Sequence, residues 1–555
     1  MRVLSSALAM TLLAGALAAR PDEGEGPAPS ARAPEPEMPL LAEPDDPLEL
    51  LWSHRLNFAA GGTPLVTIRL LDGQEEVSFT VRENAVLRPR GGESVVLRAG
   101  QTFRVRAREV LPAALAYYPL LGDAAYADRR RLAATRRLWE ERGAEVRQRI
   151  TGGIYGIAGR VVDNRRLVLI AASDGSEQAA RDFAEDSLAR YGGRTGIYSE
   201  VVRRPSGTVE VLGASGRIAR GNALVGFDGS AGFTLRPAQG DRTPQDHLYR
   251  GRLYVTLDAS GRLAAVLGIA LEELLRGLVP SEIPAGSPPE ALKAQAVTAR
   301  SNVLAQIGTR HLTEPYVLCN EVHCQAYQGA SVETAATDAA VAATRGEALF
   351  GRLDRTLVDA VYSALCGGHG EDNDAVWPTL PNPSLRGRPD LPSSAAGAYS
   401  AGLRDEAKLR AFLSEAPAAW CARATGAPRG RYRWERRFTP EEIDRLVSEL
   451  KVGRVRNLVI TARGISGRAR VLWVEGEAGR AVVEGELRIR RLLANLPSAM
   501  FVVDRAGSSF VLHGGGWGHG VGMCQWGAVG RAQAGQDYRS ILRAYYAGAE
   551  VARIY

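Results

Sequence analysis

The sequence predicts an α+β multidomain protein, and three observations support this fold class. A chain of 555 residues has the length for roughly two to four domains. Long stretches alternate apolar and polar residues with a period of two, which is typical of strands. The run EALKAQAVTARSNVLAQ, in contrast, has apolar residues at helical spacing and predicts a strong helix. We therefore expect a mixed α/β domain with a β-rich insertion, preceded by small β and α/β modules.

The N-terminus has the pattern of an export signal. Arg2 precedes an apolar stretch that ends at Leu17, and small residues follow, so residues 1–18 are predicted to be a signal peptide. Residues 19–47 are rich in Pro, Glu and Ala and predict a disordered linker. No later stretch has the roughly 18 apolar residues of a membrane span. We expect a periplasmic or extracellular protein, without a transmembrane span in the mature chain and without a nucleic-acid partner.

The N-terminal half divides into three predicted segments. Residues 48–150 alternate in strand fashion and close with RRRLAATRRLWEERGAEVRQRI, so they predict a small β module plus a charged helix. Residues 151–212 read strand, helix, strand, an α/β module that weakly resembles the glycan-binding SPOR repeat. No motif supports that resemblance, and a structural spacer is the favoured alternative. Residues 213–268 return to a β pattern, with a hairpin around Ser260 and Gly261.

One acid stands in a position that suits catalysis. Glu282 follows a short apolar helical run and lies between Pro280 and Pro284, which predicts a turn that holds its carboxyl rigidly. Catalytic acids need such placement. The alternative is a solvated loop acid with no function.

A strong helix is predicted directly after this turn. Ser287 and Glu290 have the spacing of a capping box, and Pro288 would take the first helical position. Lys293 and Arg300 lie two turns apart and share a face that begins at the turn carrying the acid. The alternative is an ordinary solvated helix face.

The β pattern returns near the C-terminus. RVRNLVITARG, RARVLWVEGEAG and AVVEGELRIRR predict strands of an insertion at 431–512. A helix is expected from about Met523 to Ala534, and DYRSILRAYYAGAEVARIY predicts a helix and a short strand.

Four passages, in order, resemble the SpoIID/LytB family, which is named for the stage II sporulation protein D. They are VPSEIPAGSPPEALKAQAVTAR, VLCNEVHCQAYQG, TRGEALF with AVYSALCGGHGEDNDAVW, and GGGWGHGVGMCQWGA. The resemblance covers roughly residues 250 to 555. It implies a SpoIID-like domain at 213–555, with a β-rich lead-in at 213–268, a catalytic core at 269–430 and 513–555, and the β-rich insertion at 431–512.

The resemblance implies a peptidoglycan lytic transglycosylase that acts on glycan strands, most readily those stripped of peptides. One carboxylic acid, Glu282, protonates the oxygen between N-acetylmuramic acid and N-acetylglucosamine. Its carboxylate then takes the proton of the muramic acid 6-hydroxyl, which closes a 1,6-anhydro ring. No second acid and no cofactor are required, because the nucleophile belongs to the substrate. The LytB branch implies the alternative, a non-catalytic glycan-binding enhancer of a cell-wall amidase.

Sugar binding is expected from aromatic and polar side chains around the Gly-rich motifs and on the helix after the acid. The candidates are Lys293, Arg300, Tyr362, Ser363, His369, Trp517, His519 and Gln525. The two cations would hold a carboxylate or acetamido oxygen of the glycan, but close to the acid they would lower its pKa. Two alternatives stay open: Trp517 packs in the core, and the His369 segment forms only an ordered turn.

Four residues predict a structural zinc site. His311, Cys319, His323 and Cys324 offer two imidazoles and two thiolates, a set that suits a closed tetrahedral site. The resemblance extends to this feature, since some SpoIID-like proteins hold zinc with two His and two Cys in this part of the chain. The alternative is a disulfide between Cys319 and Cys324.

Three further cysteines remain. If their motifs meet, Cys366 and Cys524 are expected to form a disulfide and leave Cys421 free, although Cys421 could pair with either. A nucleophilic Cys366, activated by the nearby His369, is a weaker alternative that would make the chain a protease or transpeptidase.

Overall fold

The structure, a computed structural model, describes residues 46–59, 62–191, 195–229, 232–235, 247–352 and 355–555, which belong to one unit, Leu41–Tyr555. The predicted signal peptide (1–18) and almost all of the predicted linker (19–47) lie outside the described residues. The predicted end of the linker at residue 47 is too late, because a helix starts at Pro47. Asp46 caps this helix by accepting a hydrogen bond from the Leu48 N–H.

The chain up to Ala270 is built mainly from strands. Its helices are α1 (Pro47–Trp52), α2 (Leu132–Glu141) and α3 (Glu177–Tyr191). Its strands are β1 (Asn57–Phe58), β2 (Pro64–Gln74), β3 (Glu76–Val81), β4 (Ala85–Pro89), β5 (Val95–Leu97), β6 (Thr102–Leu111), β7 (Ala114–Ala125), β8 (Val146–Thr151), β9 (Ile154–Ile157), β10 (Arg160–Asp163), β11 (Arg166–Ala171), β12 (Gly196–Arg203), β13 (Ser206–Gly213), β14 (Gly216–Asn222), β15 (Leu224–Asp228), β16 (Phe233–Leu235), β17 (His247–Tyr249), β18 (Arg252–Leu257) and β19 (Leu263–Ala270).

The remainder mixes helices and strands. The helices are α4 (Leu271–Glu282), α5 (Pro289–Gln306), α6 (Ala335–Ala343), α7 (Asn373–Val376), α8 (Ser393–Ala396), α9 (Glu406–Glu415), α10 (Trp420–Arg423), α11 (Arg429–Tyr432), α12 (Pro440–Leu446), α13 (Glu486–Leu492), α14 (Gln525–Gln533) and α15 (Tyr538–Tyr545). The strands are β20 (Leu318–Cys319), β21 (Glu347–Gly351), β22 (Tyr362–Ser363), β23 (Arg433–Phe438), β24 (Val455–Arg463), β25 (Ala469–Gly476), β26 (Gly479–Glu484), β27 (Phe501–Ala506), β28 (Ser509–Gly515), β29 (Met523–Cys524) and β30 (Ala549–Arg553). The predicted α+β class is therefore confirmed.

An eight-stranded sheet joins segments that are distant in sequence. Its order is β1-β2-β19-β18-β15-β4-β5, and β20 also pairs with β2. The predicted hairpin around Gly261 is present as β18 and β19. Because β2 pairs with β19, the residues predicted as separate modules at 48–150 and 213–268 share this sheet, and the boundary between them is wrong. Apolar alternation marks strands locally but does not identify their partners.

A four-stranded sheet corrects two more expectations. Its order is β12-β7-β11-β8, so the predicted α/β module at 151–212 takes two strands, β7 and β8, from before its boundary. The predicted charged helix is helical only to Glu141, since Gly143, at φ 87°, ends it, and Val146–Thr151 is strand β8. A six-stranded sheet, β14-β13-β6-β3-β16-β17, completes this part of the chain.

Helix α5 is the central element of the C-terminal part. Fourteen of its 18 residues are buried, because α4, α6, α14, α15 and β21 pack around it. The helix begins one residue later than predicted, with Pro288 as N-cap, so the capping box of Ser287 and Glu290 does not form. Glu290 instead accepts a hydrogen bond from the Tyr538 N–H at 2.8 Å.

The C-terminal strands form several small sheets. β23-β28-β27 and β24-β25-β26 are three-stranded, and β21 pairs with β30. The predicted strands of the insertion are present, except that ELRIRRL is helix α13. The predicted closing helix and strand are α15 and β30. Within the described ranges, no helix is long and apolar enough to cross a membrane.

Candidate functional site

Glu282 is the last residue of α4. The helix ends there because Ile283 precedes Pro284, which disfavours helical backbone, and Ile283 is extended at φ −129° and ψ 143°. The prediction of a turn between two prolines is therefore wrong in detail, since Pro280 lies inside the helix. The helix end gives the acid the rigid placement that the turn was expected to give.

The Glu282 carboxyl is enclosed although the residue as a whole is only half-buried. The Ala326 N–H donates to its Oε1, and the Gln525 amide lies 3.5 Å from its Oε2. Burial raises the pKa of Glu282 to about 7, against the hydrogen bonds of Ala326, Tyr362 and Gln525, which lower it. Among the residues that the structure describes, the groups that shift this pKa include no cation. Near neutral pH the carboxyl can both give and accept a proton.

Three amide side chains organise the surroundings of the acid. Gln525 Nε2 donates to the Glu282 carbonyl at 2.8 Å and to Gln295 Oε1 at 3.3 Å. The Tyr362 hydroxyl donates to Gln325 Oε1 at 2.9 Å. Tyr362 and Gln525, both predicted site residues, therefore lie at the acid. Gln295 and Gln325 were missed, although Gln325 lies within the motif VLCNEVHCQAYQG.

Two of the Gly-rich motifs meet beside the acid. β22 pairs in parallel with β29, so that Tyr362 is opposite Met523 and Ser363 is opposite Cys524. Ser363 is buried, and its hydroxyl accepts a hydrogen bond from the Gly520 N–H at 3.2 Å. Ser363 therefore braces the Gly-rich loop. Glycine is required in that loop, since a Cβ at Gly522, where φ is 71°, would lie 1.9 Å from the Val361 carbonyl oxygen.

Trp517 and His519 have different environments. Trp517 is 41% exposed, with the Arg431 guanidinium 4.7 Å from its ring centroid, so it does not pack in the core. The His519 ring lies 5.0 Å from that of Trp377. Burial lowers the pKa of His519 to about 3, so its imidazole is neutral. Sequence analysis missed Trp377 and Arg431; Trp377 closes the motif AVYSALCGGHGEDNDAVW.

Arg300 does not share a solvated face with the acid. Its side chain is completely buried and donates to both carboxylate oxygens of Glu272, at 2.8 and 2.9 Å, and to the Glu347 carbonyl. The prediction of a sugar ligand is wrong for this residue, because it lies on the buried part of α5, where a cation needs an internal partner. Lys293 is partly exposed and pairs with Glu290 at 2.7 Å.

His369 also lies away from any surface. It is fully buried, its Nδ1 donates to the Gly370 carbonyl at 2.7 Å, and burial lowers its pKa to about 4. Glu371 beside it accepts hydrogen bonds from the Ser466 hydroxyl and the Ile465 N–H. This segment is the ordered turn that the sequence left open as an alternative, and His369 does not line a cleft.

The four predicted zinc ligands lie together. The donor atoms of His311, Cys319, His323 and Cys324 are all within 4.8 Å of one another. His311 Nε2 is 3.1 Å from Cys324 Sγ, and His323 Nδ1 is 3.6 Å from Cys319 Sγ. Nitrogen and sulfur ligands of one tetrahedral zinc lie about 3.5 Å apart, so these residues fit the ion. Both cysteines are free, so the alternative disulfide is not formed.

The other three cysteines are free and buried. The expected disulfide between Cys366 and Cys524 is therefore absent from the structure. The Cys366 Sγ lies 3.8 Å from the Cys421 Sγ, and His369 Nδ1 bonds a carbonyl rather than a sulfur. The nucleophilic alternative therefore lacks the activation by His369 that it requires.

Comparisons with known proteins find two matching families. Residues 259–350 match the family described as Stage II sporulation protein, which covers Glu282, α5 and the four zinc-ligand candidates. Residues 371–522 match a family described only as a domain of unknown function. The predicted resemblance to the SpoIID/LytB family is confirmed.

Individual relatives match longer stretches of the chain. An "Amidase enhancer" of Bacillus subtilis is 28% identical over 289 residues, which is 49% of this chain and 39% of that protein. A "Stage II sporulation protein D" of the same organism is 26% identical over 310 residues, 52% of this chain and 76% of that protein. An uncharacterized protein of Brachyspira hyodysenteriae is 26% identical over 325 residues, 59% of this chain and 75% of that protein.

Proposed function

Residues 259–350 match the Stage II sporulation protein family, and from this similarity we propose that the chain is a SpoIID/LytB-type exported peptidoglycan lytic transglycosylase with Glu282 as its acid and base. Its substrate is the bond between N-acetylmuramic acid and N-acetylglucosamine in peptide-stripped glycan strands. The products carry 1,6-anhydro ends. The protein acts in the periplasm or outside the cell, in association with the cell wall.

One observation carries this proposal. The Glu282 carboxyl has a pKa of about 7, so both protonation states are populated at neutral pH. An efficient general acid and base has its pKa near the working pH. A solvated surface acid would have a pKa near 4.3 and would be almost fully ionised there.

The neighbours of the acid support each half of the cycle. In the first step protonated Glu282 gives its proton to the glycosidic oxygen, and the carboxylate that forms accepts hydrogen bonds from the Ala326 N–H and the Gln525 amide. The Tyr362 hydroxyl, which donates to Gln325 in the structure, can turn to donate to this carboxylate as well. In the second step the carboxylate takes the proton of the 6-hydroxyl, which attacks the anomeric carbon. The same carboxyl is then ready for another turnover, and no second acid takes part.

Glycan recognition is assigned to the exposed part of the Gly-rich loop. The Trp517 ring offers a face for a pyranose, and the adjacent Arg431 guanidinium is suited to the lactyl carboxylate of a peptide-free muramic acid. His519 Nδ1 accepts a hydrogen bond from the Val521 N–H at 3.1 Å, so the neutral ring carries its proton on Nε2 and can donate it to a hydroxyl or acetamido oxygen.

A zinc ion held by His311, Cys319, His323 and Cys324 is proposed as a structural part of the site. Four protein ligands leave no position for water, so the ion would fold the loop rather than react. The loop from Cys319 to Cys324 leads directly to Ala326, whose N–H bonds the catalytic carboxyl. The metal would therefore position that donor.

Similarity to the relative named "Amidase enhancer" favours a second candidate, a glycan-binding partner of a cell-wall amidase. In that role the chain would bind the strand and do no chemistry. Both candidates place the protein on peptidoglycan.

Mass spectrometry of digested, peptide-stripped glycan separates the two. The wild-type chain alone should release fragments with 1,6-anhydro ends, Glu282→Gln should release none above background, and Glu273→Gln, an exposed acid on the same helix, should act like wild type. If the wild-type chain releases no anhydro ends from this substrate, and instead raises the yield of an added amidase on intact, peptide-bearing peptidoglycan, the enhancer is established.

A further inference from the structure

A second cluster of ligand-type side chains lies in the interior, outside the site described above. Cys366, Asp390, Cys421 and Cys524 are all at most 3% exposed, and their ligand atoms lie within 4.8 Å of one another. They come from four separate segments: the loop after β22, a loop before α8, helix α10, and the end of β29. Nothing in the proposed reaction uses them.

The distances suit shared ligation rather than a sulfur–sulfur bond. The Cys366 and Cys421 Sγ atoms are 3.8 Å apart, and the Cys366 Sγ lies 3.4 Å from Asp390 Oδ2. Two sulfurs bound to one tetrahedral zinc at about 2.3 Å are about 3.8 Å apart. A disulfide would bring the sulfurs to about 2.0 Å.

Backbone donors surround the sulfurs. The Cys366 N–H lies 3.1 Å from Cys524 Sγ, the Gly527 N–H 3.3 Å from the same sulfur, and the Gly368 N–H 3.4 Å from Cys366 Sγ. Such N–H groups stabilise thiolates that bind a metal. They do little for neutral thiols.

The carboxyl of the cluster is held in place from the outside. Arg531 donates to Asp390 Oδ1 at 2.9 Å, and the Tyr545 hydroxyl lies 3.1 Å from both of its oxygens. Hydrogen-bonded carboxylates of this kind are common among metal ligands, because the outer contacts fix the orientation of the oxygen. Oδ2 is the oxygen that faces Cys366.

Positive charge surrounds the cluster. Arg468 is buried and donates to the Cys366 carbonyl at 3.1 Å, and the largely buried Arg433 donates to the Gly367 carbonyl at 3.0 Å. Within the part of the chain that the structure describes, neither forms an ion pair with a carboxylate. Three thiolates and one carboxylate around a divalent cation leave two negative charges, which these guanidinium groups offset together with Arg531.

We propose that Cys366, Asp390, Cys421 and Cys524 form a second, closed zinc site that fastens the Gly-rich loops to α10. Binding releases the thiol protons and leaves no coordination position for water, so the ion is structural. The site is connected to the acid, because Cys524 directly precedes Gln525, whose amide donates to the Glu282 carbonyl. This inference does not depend on the proposed enzymatic activity.

Metal analysis of purified protein tests the proposal. The double variant Cys319→Ser/Cys324→Ser removes the first ligand set, and we expect it to retain about one zinc ion per chain by plasma mass spectrometry. Adding Cys421→Ser should remove that ion, and adding Asp390→Asn should weaken its retention against a chelator. Absence of zinc from a folded double variant, judged by its far-ultraviolet circular dichroism, would overturn the proposal.

A second measurement uses the wild-type chain, so it tests the proposal even if the variants fail to fold. Wild-type protein is denatured with a chelator but without reductant, alkylated and mapped by mass spectrometry. We expect all five cysteines to carry the label and zinc above about one ion per chain to be released. A disulfide among Cys366, Cys421 and Cys524, with at most one zinc ion released, would overturn the site whatever the activity of the protein.

Discussion

The Gln525 side-chain amide donates a hydrogen bond to the backbone carbonyl of Glu282 at 2.8 Å, although 243 positions separate the two residues. This bond ties the end of α4 to the beginning of α14. The same amide reaches Gln295 on α5, so three helices meet at the proposed acid. The properties of the Glu282 carboxyl are set by this junction, and the predictions below depend on it.

The pH dependence of turnover should report the Glu282 proton. The general acid must be protonated, and its pKa is about 7, so kcat/KM on peptide-stripped glycan should be level at acid pH and fall above about pH 7. Initial rates of anhydro-end formation between pH 5 and 9 measure this, with separate checks that the fold survives. An alkaline limb that begins only above about pH 9 would assign the proton to another group.

Tyr362→Phe should shift the alkaline limb of the pH–rate profile to higher pH. The Tyr362 hydroxyl interacts with the Glu282 carboxylate and lowers its pKa, so its removal should raise the apparent pKa of the alkaline limb. A purely structural role of Tyr362 would lower the rate without shifting the limb. Tyr399→Phe is the matched control, since Tyr399 bonds Glu415 outside the site and should leave the profile unchanged.

Stability should respond to Glu282→Gln in a pH-dependent way. The folded pKa is raised from 4.5 to about 7, so the folded state binds the extra proton between these values, and stability from this group is lost as the pH rises through 7. Gln cannot ionise. The unfolding free energy of the variant minus that of wild type should therefore increase by about 1–3 kcal/mol as the pH rises from 4.5 to 8. Urea denaturation at each pH measures this difference. A constant difference across this range would contradict the raised pKa.

Arg300→Met should lower the unfolding free energy of the protein far more than Lys293→Met. Removing Arg300 leaves the Glu272 carboxylate buried without its partner, which costs about 3–5 kcal/mol in denaturant unfolding. Lys293 pairs with Glu290 near the surface, and its loss should cost less than about 1 kcal/mol. If Arg300→Met instead kept wild-type stability and raised KM, Arg300 would be the sugar ligand expected from the sequence.

Loss of the first zinc ligand set should disturb the acid through Ala326. Cys324→Ser should release about one zinc ion per chain, lower Tm, and shift the alkaline limb upward, because the Ala326 N–H that lowers the Glu282 pKa would be displaced. Metal analysis measures the zinc content, calorimetry measures Tm, and the pH profile of the rate gives the position of the alkaline limb. A variant with full zinc content would exclude Cys324 as a ligand.

Local sequence signals located the proposed acid and its helix. Pro284 predicts where α4 stops, and the apolar stripe that includes Leu292 predicts α5. Motif order led to Tyr362 and Gln525, which the structure brings to Glu282. The ends of α4 and α5 depend on neighbours in the chain, which explains why they could be predicted, whereas Tyr362 and Gln525 were found through the family resemblance.

Several of the wrong predictions concern distant partners. Lys293 and Arg300 share a helical face in projection, but the sequence could not show that α6, α14 and β21 cover α5. The pairing of β2 with β19 could not be predicted either, because the sequence of a strand does not specify which strand it pairs with. His369 looked like a cleft residue because the Gly-rich turn that buries it resembles an exposed loop.

The parallel pairing of β22 with β29 also has a consequence for folding kinetics. Tyr362 meets Met523 across a closed loop of more than 150 residues, and contacts of such sequence separation form late, since the loop entropy must be overcome first. We expect the surroundings of Glu282 to assemble only after the intervening segment has folded. A chain that emerges N-terminus first would then pass through export with its acid exposed and its pKa ordinary, and would become active only on completing its fold.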